Sequence, residues 1–126
     1  MRLLIAVGFG LSAAWLWDRL LRFLKWNQVI RVGIGAPVGE ELIKYSLAAV
    51  FQLQPWLFYL GFGLGEGILE SLLLKKGFDP KLIAAGGLTH FSFGLLFLFR
   101  FQPLLSLAFA IATHLVWNNL LIRAEP

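Results

Sequence analysis

The sequence predicts an all-α, polytopic membrane helix bundle of about five transmembrane helices. Two observations carry that reading. Of 126 residues 59% are hydrophobic and only 14% are charged, with a mean hydropathy of +0.77. A soluble domain of this length covers its surface with far more charge. The apolar residues are also gathered into five stretches, at about 3–17, 32–52, 56–74, 82–99 and 104–122. The last four are close to the ~20 residues that a helix needs to cross the hydrocarbon core.

The first stretch, "LLIAVGFGLSAAWLW", is followed by the basic amphipathic "DRLLRFLKW" at 18–26. "LSAA" resembles a signal-peptidase site, but dense positive charge directly after it resists translocation, so the segment is read as a retained span. The second stretch runs from about Val32 to Gln52. Pro55, Pro80 and Pro103 stand at or just before the start of the third, fourth and fifth, where a missing N–H is harmless. The connections "QLQP", "KKGFDP" and "RFQP" are short, so consecutive helices are antiparallel neighbours. No linker or low-complexity tract divides the chain, and residues 1–126 read as a single transmembrane domain. There is no cysteine, which excludes disulfides, a thiolate nucleophile and a Cys-based metal site.

With five spans the connections alternate between two membrane faces. Arg19, Arg22, Lys25, Arg31, Lys75, Lys76, Lys81 and Arg123 fall on one face, Arg2 and Arg100 on the other, and Lys44 inside a span. The positive-inside rule then puts the N-terminus outside and the C-terminus in the cytoplasm. The net charge of +4 is therefore a statement about orientation in a lipid bilayer, and no nucleic-acid partner is implied.

Inside the spans stand Glu40, Glu41, Lys44, Glu66, Glu70, His90 and His114. A charged residue at a helix centre costs roughly 2.5–3.5 kcal/mol on insertion scales, so such groups point to function. Their depths agree. Glu40 is nine residues from Arg31, Glu66 nine from Lys75, His90 nine from Lys81 and His114 nine from Arg123. At ~1.5 Å per residue all four lie about 13 Å from the cytoplasmic boundary, one on each of four helices. Lys44 is spaced to reach both Glu41 and Glu40, while Glu70 and Asn118 share faces with Glu66 and His114. Gly61, Gly63, Gly65 and Gly67 form overlapping GxxxG pairs, and "AAGG" at 84–87 precedes His90 by a turn, so backbones can approach closely. The expectation is one polar cavity near mid-membrane that opens along Glu70 and Asn118 toward the cytoplasm. Each feature has a plainer reading: a structural Glu41–Lys44 ion pair, a snorkelling Glu70, an Asn118 that orients His114 or bridges helices. Packing alone does not account for two glutamates and two histidines at one depth.

In order and spacing these residues resemble the PrsW-type intramembrane peptidases, relatives of the CAAX prenyl proteases and bacteriocin-processing membrane proteins. "APVGEELIK" resembles an EExxK segment with Glu40, Glu41 and Lys44. "GFGLGEG" resembles FxxxE with Phe62 and Glu66. "THFSFG" supplies His90, and "HLVWN" resembles HxxxN with His114 and Asn118. The similarity covers about 36–119, and the chain is close to a minimal core, since family members carry additional helices. The resemblance implies hydrolysis of a membrane-anchored or transmembrane polypeptide by activated water, in the cytoplasmic membrane of a bacterium or archaeon. Peptide hydrolysis needs a base, oxyanion stabilisation and an acid. Glu41 or Glu40 is the implied base, assisted by Glu66. His90 and His114 position the water or stabilise the oxyanion, with Asn118 as a further donor, Lys44 holding the ionised carboxylate and Glu70 in support. No cofactor is required on that reading. A metal version would use zinc on His90, His114 and Glu66, a His₂Glu set. Two other classes fit the same residues: a small proton- or ion-coupled transporter, and a non-catalytic scaffold or immunity-type protein.

Overall fold

A computed structural model describes residues 1–74, 77–98 and 102–124, and these form five helices without a strand. Lys75, Lys76 and Arg100, and the side chain of Arg123, lie outside the described residues. Helix α1 is Arg2–Phe23, running past position 17 through the basic stretch. Arg22 and Asp18, four residues apart, form an exposed 2.6 Å pair that supports this extra length.

Helix α2 occupies 28–50 in three contiguous pieces: Gln28–Ile30, a π-helical Arg31–Gly35 and Ala36–Val50. Asn27 caps it, its side chain accepting from the Ile30 N–H at 2.9 Å. At its far end Gln52 takes φ 52°. The Leu53 N–H donates to Ala48 O at 2.9 Å and the Gln52 N–H to Ala49 O at 3.2 Å, which is a Schellman stop. Helix α3 is Pro55–Leu74. Helix α4 is Pro80–Gly94, drawn out by a 3₁₀ turn at Leu95–Phe97. Asp79 caps α4 through Lys81 N at 2.9 Å. The Ser71 hydroxyl donates to Gly77 O at 2.8 Å and accepts from the Asp79 N–H, fastening the α3–α4 connection. Helix α5 is Pro103–Ala124.

The glycines of α3 serve two faces. Gly61 and Gly65 lie against α1: a Cβ on Gly61 would meet that of Ala6 at 2.6 Å, and one on Gly65 the Leu11 backbone nitrogen at 2.8 Å. Gly63 and Gly67 lie against α4: a Cβ on Gly67 would meet Ile83 Cα at 2.6 Å, and one on Gly63 would overlap Gly86 O. Alternate glycines thus let α3 sit backbone-to-backbone between α1 and α4, while α2 packs against α5, α3 and α1. Close approach of this kind comes from small residues.

The π turn has a covalent cause. Pro37 lacks an N–H, so neither Val32 O nor Gly33 O receives a bond from that position. Asn118 Nδ2 donates to Val32 O and Asn119 Nδ2 to Gly33 O, both at 3.0 Å. Trp17 Nε1 donates to Gly35 O at 3.3 Å, with its indole lying over Gly39.

Polarity is distributed inside out. Glu41 and Lys44 are completely buried. Leu16, Ile34, Leu88, Leu104, Val116 and Leu120 are all more than half exposed. Two helices, Arg2–Phe23 and Pro103–Ile122, are long and apolar enough to cross a membrane by length and composition. The expectation of five such helices is not met on those terms. Of the other three, α4 and the regular part of α2, which its π turn interrupts, are 15 residues each, and α3 carries Glu66 and Glu70 among its 20.

Candidate active site

Four helices deliver one buried polar cluster, and Lys44 stands at its centre. Its Nζ lies 2.8 Å from Glu41 Oε1, 3.5 Å from Glu40 Oε2 and 2.7 Å from His90 Nδ1. The first two contacts follow from i, i+3 and i, i+4 spacing within α2, and the third crosses to α4. The ammonium also lies 4.4 Å from the centre of the Phe62 ring and 5.3 Å from that of Tyr59, both on α3. Two carboxyl groups, one imidazole and two π faces thus replace the water that a buried ammonium gives up.

Two carboxylate–imidazole pairs extend the cluster. His114, on α5, places Nδ1 2.8 Å from Glu41 Oε1. His90 places Nε2 2.5 Å from Glu66 Oε2. The two rings meet edge to face with centroids 5.2 Å apart, and Phe93 packs against both. A continuous chain therefore runs Glu66–His90–Lys44–Glu41–His114. Its first member is 27% exposed at the side chain, and its middle members are sealed.

Glu40, Glu41, Lys44, Glu66, His90 and His114 are thus brought together. Two residues expected beside them are not. Asn118 gives its amide to Val32 O and bridges α5 to α2, so it does not reach His114. Glu70 is exposed and shows no bond to the cluster. Among the described residues the cluster is held by direct side-chain contact, with its Glu66 end partly open. The side chains touch directly, and aromatic rings fill the space between helices. Cavities of about 400 and about 210 Å³ lie elsewhere, the larger lined by Tyr45, Gln52, Phe97 and Ser106 at the α2–α3 turn. Among the described residues no hydrogen bond links the cluster to Glu70 or Asn118.

Tyr59 is a member the sequence reasoning missed. It is fully buried, and its hydroxyl and Glu41 Oε2 are buried polar atoms without a hydrogen-bond partner among the described residues. The two lie within electrostatic reach of each other. Its one signal was spacing: Tyr59 is three residues before Phe62 and seven before Glu66, on the same helical face.

The metal expectation fares differently from the cluster. The carboxylate that joins the histidines is that of Glu40, and one ligand atom from each of Glu40, His90 and His114 lies within 4.8 Å of the others. Glu66 sits on the opposite ring nitrogen of His90. In this arrangement the set does not fit a metal ion. Both nitrogens of His90 are engaged, and the Lys44 ammonium already stands among the donors. No protein-family model, no curated protein and no solved structure matches this chain.

Proposed function

We propose that the chain is an integral membrane peptidase that hydrolyses a membrane-anchored or transmembrane polypeptide with water activated between glutamate and histidine. The observation that carries this reading is the doubled carboxylate–imidazole arrangement, Glu41–His114 and Glu66–His90, joined through Lys44 inside an apolar bundle. Such pairs hold an imidazole in a defined orientation and stabilise the charge it gains in proton transfer. The Tyr59 hydroxyl beside the Glu41 carboxylate supports the same reading, because it adds a donor next to an acceptor in the buried part of the cluster.

The membrane setting rests on the inverted surface. Apolar side chains stand outward on every helix while Glu40, Glu41 and Lys44 are buried between them, which suits hydrocarbon as the solvent. On this reading all five helices cross the bilayer, α2, α3 and α4 hiding their ionisable groups against one another. The N-terminus is outside, the C-terminus is cytoplasmic, and the membrane is the cytoplasmic membrane of a bacterium or archaeon. The resemblance to PrsW-type peptidases over 36–119 agrees in residue order with this assignment.

The test is co-expression with single-span membrane proteins as substrates, followed by detection of their fragments. Cleavage by the wild-type chain and none by the Glu40→Gln/Glu41→Gln double variant supports the proposal. A wild-type chain that folds in the membrane and cleaves nothing in a broad substrate panel turns the reading toward a scaffold or a proton path.

A further inference from the structure

The cluster contains enough fixed donors to assign its protons. An ammonium carries only donors, so the groups it contacts must accept. Lys44 Nζ is 2.7 Å from His90 Nδ1, which places a lone pair on Nδ1 and the ring proton on Nε2. That proton is donated to Glu66 Oε2 at 2.5 Å. On the other side Glu41 Oε1 accepts from Lys44, and it accepts also from His114 Nδ1 at 2.8 Å. His114 therefore carries its proton on Nδ1 and its lone pair on Nε2. Among the described residues, Nε2 is the one ring nitrogen of the two histidines without a protein hydrogen bond.

We infer that the two histidines are locked in opposite tautomers, and that His114 Nε2 is the base that takes the proton from the hydrolytic water. Glu41 is then a positioning residue for His114, and Glu66 for His90. In the step itself the water O–H bond breaks and its proton goes to His114 Nε2. The electron pair left on oxygen forms the new bond to the scissile carbonyl carbon, whose π pair moves onto its oxygen. The imidazolium keeps its Nδ1–H on Glu41. On collapse the C–N bond breaks, and His114 Nε2 returns the proton to the leaving nitrogen. A carboxylate that orients an imidazole in this way does not itself become protonated. The catalytic half of the inference rests on the peptidase reading; the tautomers rest on geometry alone.

The chain has two histidines, so ¹⁵N labelling of histidine in the full protein in bilayers yields two imidazoles and no background. The expected spectrum holds one ring protonated at Nε2 and one at Nδ1, with His90→Asn used to assign them. The wild-type spectrum decides the matter even if that variant fails to fold, since two Nε2–H rings, or two imidazoliums, overturn the inference. Glu41→Gln should mix both tautomers at His114 and leave His90 unchanged. It should also lower kcat by roughly 10²–10⁴-fold with KM little altered, as loss of an orienting carboxylate does. An unchanged His114 signal in that variant removes Glu41 from the positioning role. The two failures read differently: opposite tautomers without any wild-type cleavage sink the peptidase reading, whereas cleavage with His114 protonated at Nε2 sinks this inference.

Discussion

The Asn119 side chain donates to the Gly33 carbonyl at 3.0 Å, across the interface between α5 and α2 and four residues ahead of Pro37. With Asn118 on Val32 O, it meets the hydrogen-bonding demand of a helix that proline has opened into a π turn. The turn lies directly before Glu40 and Glu41, so the bridge sets how this segment of α2 is presented to His114.

The amide of Asn119 should therefore matter only because Pro37 is there. Asn119→Ala is expected to destabilise the bundle by about 1–3 kcal/mol, the cost of leaving a buried carbonyl unpaired. In a Pro37→Ala background, where an N–H returns to the helix, the cost should shrink to well under half. A double-mutant cycle by denaturant titration in detergent measures this, and additive effects would contradict the account.

Helix spacing offers a second check. Gly63→Ala forces a methyl group into the Gly86 carbonyl and should destabilise by about 1–3 kcal/mol through overpacking. It should also separate His90 from Glu66, reducing cleavage. Gly8→Ala has open space around it and should leave stability within about 0.5 kcal/mol of wild type. Equal effects of the two substitutions on thermal unfolding would argue against the packing described.

Lys44 and Glu41 should couple strongly. Removing one partner of a buried pair strands the other, at a cost of about 3–5 kcal/mol. Lys44→Met and Glu41→Gln are each expected to fall near that range. The double variant should be clearly less destabilised than the sum, because no lone charge remains between them. A sum without coupling would mean that Lys44 is held chiefly by Glu40 and the aromatic rings.

In a cleavage assay, Glu40→Gln, Glu41→Gln, Glu66→Gln, His90→Ala and His114→Ala should each leave under about a hundredth of wild-type turnover, the scale of a lost acid–base group. Glu70→Gln should be milder, since Glu70 is exposed and outside the cluster. Glu70→Gln matching Glu66→Gln in severity would show that the network continues past the residues that touch.

Orientation is measurable by single cysteines, because the chain has none of its own. Cysteines at Gln54 and Gln102 should react with an impermeant thiol reagent added outside, and cysteines at Gly77 and Ala124 should not. The reverse pattern would place the partly exposed Glu66 end of the cluster toward the outside.

The sequence by itself determined the helical class, the helix starts at Pro55, Pro80 and Pro103, and the matching level along their helices that lets Glu40, Glu66, His90 and His114 meet. These are one-dimensional quantities: apolar length, a missing N–H, and rise per residue along an axis. The i, i+3 and i, i+4 reach of Lys44 to Glu41 and Glu40 was legible for the same reason, being a property of one helix. What only the tertiary structure decided is rotational phase and partner choice. Regular spacing placed Asn118 with His114, but the π turn at Arg31–Gly35 exposes carbonyls that draw Asn118 and Asn119 to α2 instead. The same spacing grouped Gly61, Gly63, Gly65 and Gly67 together, whereas backbone contact divides them between α1 and α4. That division turns Tyr59, Phe62 and Glu66 toward Lys44 and His90, and it sets Glu40 rather than Glu66 beside both histidines. Which nitrogen meets which oxygen depends on sub-ångström backbone approach between helices, and no periodicity along a single chain carries that distance.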